Sequence, residues 1–139
     1  MKARDVMTPS PVTVTPQASL AEVWDLMREA DIRHVPVVQA GVLVGMVSDR
    51  DLASLDVARV LTTEGAETLK RELATPVVNV MSSDVISVET EADLGDVVEL
   101  MLESKVGAIP VVLADTREVV GIVSYIDVLG AVQDLVTEE

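Results

Sequence analysis

Two copies of one seven-residue pattern carry the residues best suited to chemistry: Gly45-Met46-Val47-Ser48-Asp49-Arg50-Asp51 and Gly121-Ile122-Val123-Ser124-Tyr125-Ile126-Asp127. Each sets a hydroxyl three residues before a carboxylate, a spacing with two meanings. As pure structure, Ser48 caps a helix while Asp51 returns a hydrogen bond and favours the positive end of the helix dipole. As a site, the same N–H groups and hydroxyl attract an oxygen-rich anion. The carboxylate repels phosphate but accepts from vicinal hydroxyls, so the fitting ligand has both: a ribose donating to Asp51, with a 5′ phosphate directed toward Ser48 and nearby cations. Gly45 and Gly121 let a backbone approach such a ligand, or mark a bulge in a strand.

Cations stand beside only one of the two copies. Arg33 and His34 precede the Val35-Pro36-Val37 strand and Arg50 lies inside the first motif, whereas the second copy has Gly107, Ala108 and Ile126 at those places. Residues 1–75 hold 8 basic and 11 acidic side chains (net −3) against 2 and 13 (net −11) for residues 76–139. Phosphate therefore belongs with the first copy, although a solvated Arg33 and a packed His34 are the plainer account of those residues. With no Phe and a single Trp, Trp24, a purine would lie between aliphatic side chains rather than in an aromatic stack; Trp24 itself reads as core or dimer surface. The absence of Cys and the single His exclude thiol nucleophiles, disulfides and Cys- or paired-His metal sites. No nucleophile–base pair, paired-acid cluster or Gly-Lys-Ser/Thr phosphate loop is present, so no catalytic residue and no metal site is assigned and the chain is expected not to be an enzyme.

The elements that must position these residues come from a duplication. Residues 6–40 and 80–114 align at an offset of 74 with 13 identities in 35 positions, and the motif copies follow at an offset of 76. Each copy reads as a short β segment (Val12-Thr13-Val14; Ile86-Ser87-Val88), an amphipathic helix, two strands and a closing helix. The first helix starts at a Ser19-Leu20-Ala21-Glu22 capping box with Leu20, Val23, Met27 and Ala30 on its apolar stripe; its counterpart starts at Asp93, with Leu94, Val97, Val98 and Met101. The hairpins are Val35–Val38 with Val42–Val47, turning at Gln39-Ala40-Gly41, and Ile109–Leu113 with Val119–Val123. Pro36 and Pro110 are expected at strand starts or sheet edges. A helical excursion over Thr63–Leu73, ended by Thr75-Pro76, lies between the copies. The expected organisation is a first repeat at 1–60, a helical linker at 61–79 and a second repeat at 80–139. Units of about 60 residues are too small to be stable alone, so the fold expected is α/β, two β-α-β-β-α repeats packed about a pseudo-twofold axis with two clefts.

Composition bounds the rest. The 139 residues (14.8 kDa) make one compact domain or two halves sharing a core, and 28 valines with 49% apolar residues give that core an aliphatic, strand-rich character. A net charge of −14 repels nucleic acid. The sequence opens without an apolar leader and has no run near the ~18 residues of a membrane span, which points to a cytoplasmic protein without membrane insertion. The acidity suits either ordinary solubility or high salt.

Together these features resemble a tandem pair of cystathionine-β-synthase (CBS) domains, a Bateman module, over nearly the whole chain. The resemblance rests on Val6-Met7-Thr8-Pro9 and Val80-Met81-Ser82-Ser83, on Arg33-His34-Val35-Pro36-Val37-Val38 and Gly107-Ala108-Ile109-Pro110-Val111-Val112, and on the two Gly/Ser/Asp closings. It implies a regulatory, energy-sensing module with clefts built crosswise, binding AMP, ADP or ATP, with S-adenosylmethionine or NAD as further ligands and no required cofactor. Carried over by position, cleft one would use Arg33, His34, Ser48 and Asp51 with Ser82, Ile86 and Gly107; cleft two would use Ser124 and Asp127 with Thr8 and Val12. Lacking cations, cleft two is expected to be weak or to take adenosine only. The resemblance also implies a homodimer that signals occupancy to a regulated protein in trans; the alternative is a structural or dimerisation module whose Ser and Asp pairs are caps alone.

Overall fold

The computed structural model describes residues 1–53 and 63–137. Along the chain run α1 (Ala3–Val6), β1 (Thr8–Pro9), α2 (Leu20–Ala30), β2 (His34–Gln39), β3 (Val42–Ser48), α3 (Asp49–Leu52), α4 (Thr63–Leu73), a 3-10 turn (Val77–Asn79), β4 (Val88–Glu89), α5 (Leu94–Ser104), β5 (Ala108–Val112), β6 (Val119–Ser124) and α6 (Tyr125–Thr137). The architecture is α/β, and the second repeat follows the expected β-α-β-β-α order. The end of the expected first repeat (54–60), the first two linker residues (61 and 62) and the last two residues (138 and 139) lie outside the described residues.

The chain forms two compact units: Met1–Pro11 with Gly41–Leu43 and Ile86–Glu139, and Val12–Ala40 with Val44–Val85. The N-terminal segment thus completes the unit that carries the second repeat, and the segment before Ile86 completes the unit that carries the first.

In the first of these units, a four-stranded sheet has the order β1-β6-β5-β4. β5 pairs antiparallel with β6 and parallel with β4, while β1 adds antiparallel to β6 with Thr8 opposite Ile122. Helix α5 lays Val97 and Met101 on this sheet, against Ile109, Val111 and Val123; Val97, Ile109, Val111 and Val123 are completely buried. Full burial of each such side chain contributes roughly 1.5–3 kcal/mol. Asp93 caps α5 by position only, because its carboxylate is bound instead to Lys2 Nζ at 2.6 Å. Arg4 pairs with Glu91, and backbone bonds from Ala3 N–H to Ala92 O (2.8 Å) and from Leu94 N–H to Met1 O (3.0 Å) complete the docking of the N-terminal segment.

The other unit repeats this plan on a two-stranded β2-β3 sheet. Two isolated bridges stand where the four-stranded sheet has full edge strands: Val14 with Val37, and Ser82 with Met46. Helix α2 begins at the expected Ser19 with one half of the expected box, Ser19 Oγ accepting from Glu22 N–H at 3.2 Å, and buries Leu20, Val23 and Met27 against Val35, Val37 and Val47. Ala30 is exposed rather than part of the stripe. Bonds from Val77 N–H to Ala18 O (2.7 Å) and from Leu20 N–H to Thr75 O (3.0 Å) match those at Ala3 and Leu94 one repeat later. The hairpin turn uses two residues, Ala40 (φ 52°) and Gly41 (φ 82°), both left-handed as a two-residue connection demands. Helix α4 forms over the expected Thr63–Leu73.

Three expectations change. Val12 and Thr13 are not in a strand, and of Ile86-Ser87-Val88 only Val88 is, with Glu89. Pro110 lies inside β5, an inner strand of its sheet, whereas Pro36 lies in β2 of the two-stranded sheet, an edge strand as expected. They are tolerated because the parallel neighbour is so short: Val14 bonds only the Pro36 carbonyl (3.2 Å) and the Val38 N–H (2.8 Å), and β4 pairs only with Val111 and Val112. Neither proline nitrogen is asked for a proton. Among the described residues, no helix is long and apolar enough to cross a membrane.

Candidate functional site

In the unit holding the first repeat, β3 delivers Ser48 to the start of α3. Ser48 N–H donates to Asp51 Oδ2 at 2.8 Å and Ser48 Oγ–H to the same oxygen at 3.2 Å, while Asp51 N–H reaches back to Ser48 Oγ at 3.4 Å. This is a full capping box, so the structural meaning of the motif is realised. Arg33 is drawn to the same point because its carbonyl accepts the Asp49 N–H at 2.9 Å. Arg33, Asp49 and Arg50 are exposed, and His34, Ser48 and Asp51 are half-buried. Burial pushes the His34 imidazole below its ordinary pKa; Asp49 and Asp51 oppose that shift, and Arg33 and Arg50 add to it. Ser82 joins the cluster through paired backbone bonds with Met46, Ser82 N–H to Met46 O and Met46 N–H to Ser82 O, each 2.9 Å.

The unit holding the second repeat builds the same frame with different side chains. Ser124 N–H and Oγ–H donate to Asp127 Oδ2 at 2.9 and 3.0 Å, and Asp127 N–H reaches Ser124 Oγ at 3.2 Å. Tyr125 N–H donates to Gly107 O at 2.9 Å, the equivalent of the Asp49–Arg33 bond. Thr8, held opposite Ile122 as Ser82 is opposite Met46, turns its hydroxyl to Asp127 Oδ1 at 3.4 Å. The frame is shared, but where the first cluster has two Arg and a His the second has Gly107, Ala108 and Ile126.

Of the residues expected at cleft one, Arg33, His34, Ser48, Asp51 and Ser82 belong to one unit, and Ile86 and Gly107 to the other; of those expected at cleft two, Thr8, Ser124 and Asp127 belong to one unit and Val12 to the other. Val12 and Ile86, equivalent by the repeat, are each 37% exposed. Gly45 and Gly121 have a neighbour that the motif alone did not reveal. A Cβ on Gly45 would collide with the Met81 thioether, and one on Gly121 with that of Met7. The close approach these glycines permit inside each unit is that of a methionine. The signal was in the sequence, since Met7/Met81 and Gly45/Gly121 are all repeat identities, but only the pairing of strands links them.

Among the described residues, no group of three His, Cys, Asp or Glu side chains is arranged to hold a metal ion. The charges acting on His34 at the first cluster are those of Arg33 and Arg50 on one side and Asp49 and Asp51 on the other.

Comparison with known proteins places this geometry in a family. The family model for the CBS domain matches residues 3–58 and 77–134. CBS domain-containing protein YhcV of Bacillus subtilis is 35% identical over 124 residues, 89% of this chain and 80% of that protein. An inosine-5′-monophosphate dehydrogenase of Methanocaldococcus jannaschii is 26% identical over 129 residues, 92% of this chain but 23% of the enzyme. Arabidopsis thaliana CBSX2, solved in complex with AMP, superposes with a TM-score of 0.79 at 29% identity, over 96% of this chain and 97% of its own. The chain belongs to the CBS domain family and carries two CBS domains in tandem.

Proposed function

We propose that the chain is a non-catalytic regulatory module that binds an adenine nucleotide, AMP, ADP or ATP, at the first-repeat cluster and signals occupancy to a partner protein. The observation that carries this is the convergence of Arg33, His34 and Arg50 on the Ser48–Asp51 cap, together with the AMP complex of CBSX2 at 29% identity. Asp51 accepts from the ribose hydroxyls, and the Arg33 and Arg50 guanidiniums meet the phosphate, with the His34 imidazole beside them. Ile86 and Gly107 keep the ligand-contacting roles that the family resemblance gives them. Ser124, Asp127, Thr8 and Val12 form a weaker second site that lacks cations. Ligand acts by binding one state of the module better than another, which is all that signalling requires. A regulated protein in trans and a cytoplasmic setting belong to the same proposal.

A homodimer is part of it as well. Helix α6 leaves Tyr125, Leu129, Val132 and Val136 exposed at i, i+4, i+7 and i+11, a stripe without a single charge, which a second copy would cover. Light scattering then gives twice the 14.8 kDa chain mass.

A structural module without ligand is the second reading, favoured by the fact that both carboxylates already serve as caps. Thermal melts separate the two. A ligand at 100 times its Kd stabilises the fold by about 2.7 kcal/mol. The proposal expects a clear rise in Tm with at least one of AMP, ADP and ATP; melts unchanged by these and by S-adenosylmethionine and NAD leave the structural reading.

A further inference from the structure

Glycine inside a strand costs roughly 0.5–1 kcal/mol relative to alanine, and neither Gly45 nor Gly121 has the positive φ that would require it. What requires it is a methionine. A Cβ on Gly45 would meet the Met81 sulfur and would lie 3.0 Å from its Cγ and 3.1 Å from its Cε; one on Gly121 would meet the Met7 sulfur and would lie 2.9 Å from its Cγ. Each methionine immediately precedes a hydroxyl residue, Ser82 or Thr8, in the same register: Ser82 is bridged to Met46 and Thr8 to Ile122, the residue after the glycine in each case. In the second-repeat unit that register sets Thr8 Oγ1 3.4 Å from Asp127 Oδ1.

We infer that Met81 and Met7 are positioning residues: each thioether, seated on the glycine of the facing strand, fixes how closely the opening segment approaches and so where its hydroxyl stands relative to the Ser–Asp cap. Binding would then depend on a pair of atoms that touch no ligand. The inference rests on the nucleotide-site reading of Ser48 and Asp51 and adds to it the device that places Ser82.

The test is AMP titration calorimetry on the full chain. Gly45→Ala pushes the Met81 side chain outward and is expected to weaken AMP binding about tenfold, the scale of one hydrogen bond to a charged group. Gly45→Ala/Met81→Val, which removes the colliding atoms, recovers most of that affinity. Ser82→Ala weakens binding by itself, and Gly45→Ala added to it costs less than about twofold more, because a residue acting through Ser82 has nothing left to place. Should Gly45→Ala fail to fold, Met81→Ala takes its place in the same cycle with Ser82→Ala. Parental affinity in Gly45→Ala, or an undiminished loss in the Ser82→Ala background, overturns the positioning role and leaves the site reading standing. A parent chain that binds none of AMP, ADP and ATP overturns the site reading, and the positioning role with it, before any variant is made; where ADP or ATP binds in place of AMP, the same cycle is run with that nucleotide.

Discussion

Replacing Asp51 and Asp127 separately by alanine distinguishes a cap from a binding site. The capping bonds of the two carboxylates match: Asp51 Oδ2 accepts Ser48 N–H at 2.8 Å and the Ser48 hydroxyl at 3.2 Å, and Asp127 Oδ2 accepts the Ser124 pair at 2.9 and 3.0 Å, with one long, exposed bond from the Thr8 hydroxyl to Asp127 Oδ1 (3.4 Å) besides. Losing either box costs about 1 kcal/mol, which for a chain of this length lowers Tm by roughly 3–5 °C. The apo variants are therefore expected to melt alike. In AMP they diverge. Removing Asp51 takes away charge-assisted bonds to the ribose hydroxyls worth about 1.5–3 kcal/mol, a roughly 10- to 150-fold loss of affinity, whereas Asp127→Ala leaves the cationic site intact and changes its affinity less than about threefold, below 1 kcal/mol. Calorimetry supplies the affinities and scanning fluorimetry the melts. Equal AMP affinities in the two variants refute the assignment of the site to the first repeat, and equal melts with no affinity change in either reduce both carboxylates to caps.

His34 gives a pH signature. Its folded-state pKa lies below the ordinary 6.5 because of burial, so the unfolded chain binds the proton more readily; the stabilisation is complete above about pH 6.5 and declines as pH falls through that value toward the folded pKa. His34→Gln is expected to remove this part of the slope in urea midpoints measured from pH 7.5 to 5, and an unchanged slope contradicts it. Leu52, 1% exposed at the end of α3, anchors the motif helix to its core; Leu52→Ala should cost about 3 kcal/mol in urea unfolding, and a loss under about 1 kcal/mol would mean that α3 is not anchored there. Lys105 ends α5 in the left-handed conformation (φ 55°), so Lys105→Gly is expected to raise stability by about 0.5–1 kcal/mol, while a drop in Tm contradicts the strain.

Much of the fold is legible because the duplication makes each element vouch for its twin. Ser19 marks a helix start that forms at that residue, with Ser19 Oγ taking the Glu22 N–H, and Gln39-Ala40-Gly41 marks a hairpin whose turn narrows to Ala40 and Gly41, Gln39 ending the strand. What periodicity cannot supply is pairing between distant short segments. β1 and β4 have two residues each, too few to show a period of two, so nothing local says that Thr8 lies opposite Ile122 or that Val88 lies opposite Val111. Pro110 misled for the same reason: a proline inside a strand is forbidden only where a neighbour asks for its N–H, and the neighbour's length was hidden. At the candidate site the Ser–Asp spacing and the cations were readable, and the caps formed as drawn. The methionine beneath each glycine was not, since the repeat marks Met7/Met81 and Gly45/Gly121 as identities but only the pairing of the segments sets one against the other.

The central claim is that a phosphate-bearing adenosine is held at the Ser48–Asp51 cap beside Arg33, His34 and Arg50. Calorimetric titration of the intact chain with AMP and with adenosine tests it most directly. The account predicts one phosphate-dependent site per chain, where AMP binds at least about tenfold more tightly than adenosine because the phosphate adds a charge-assisted contact of about 1.5 kcal/mol or more; any binding at the second site is weaker and indifferent to the phosphate. Two equal phosphate-dependent sites, or no heat with either ligand, would contradict it.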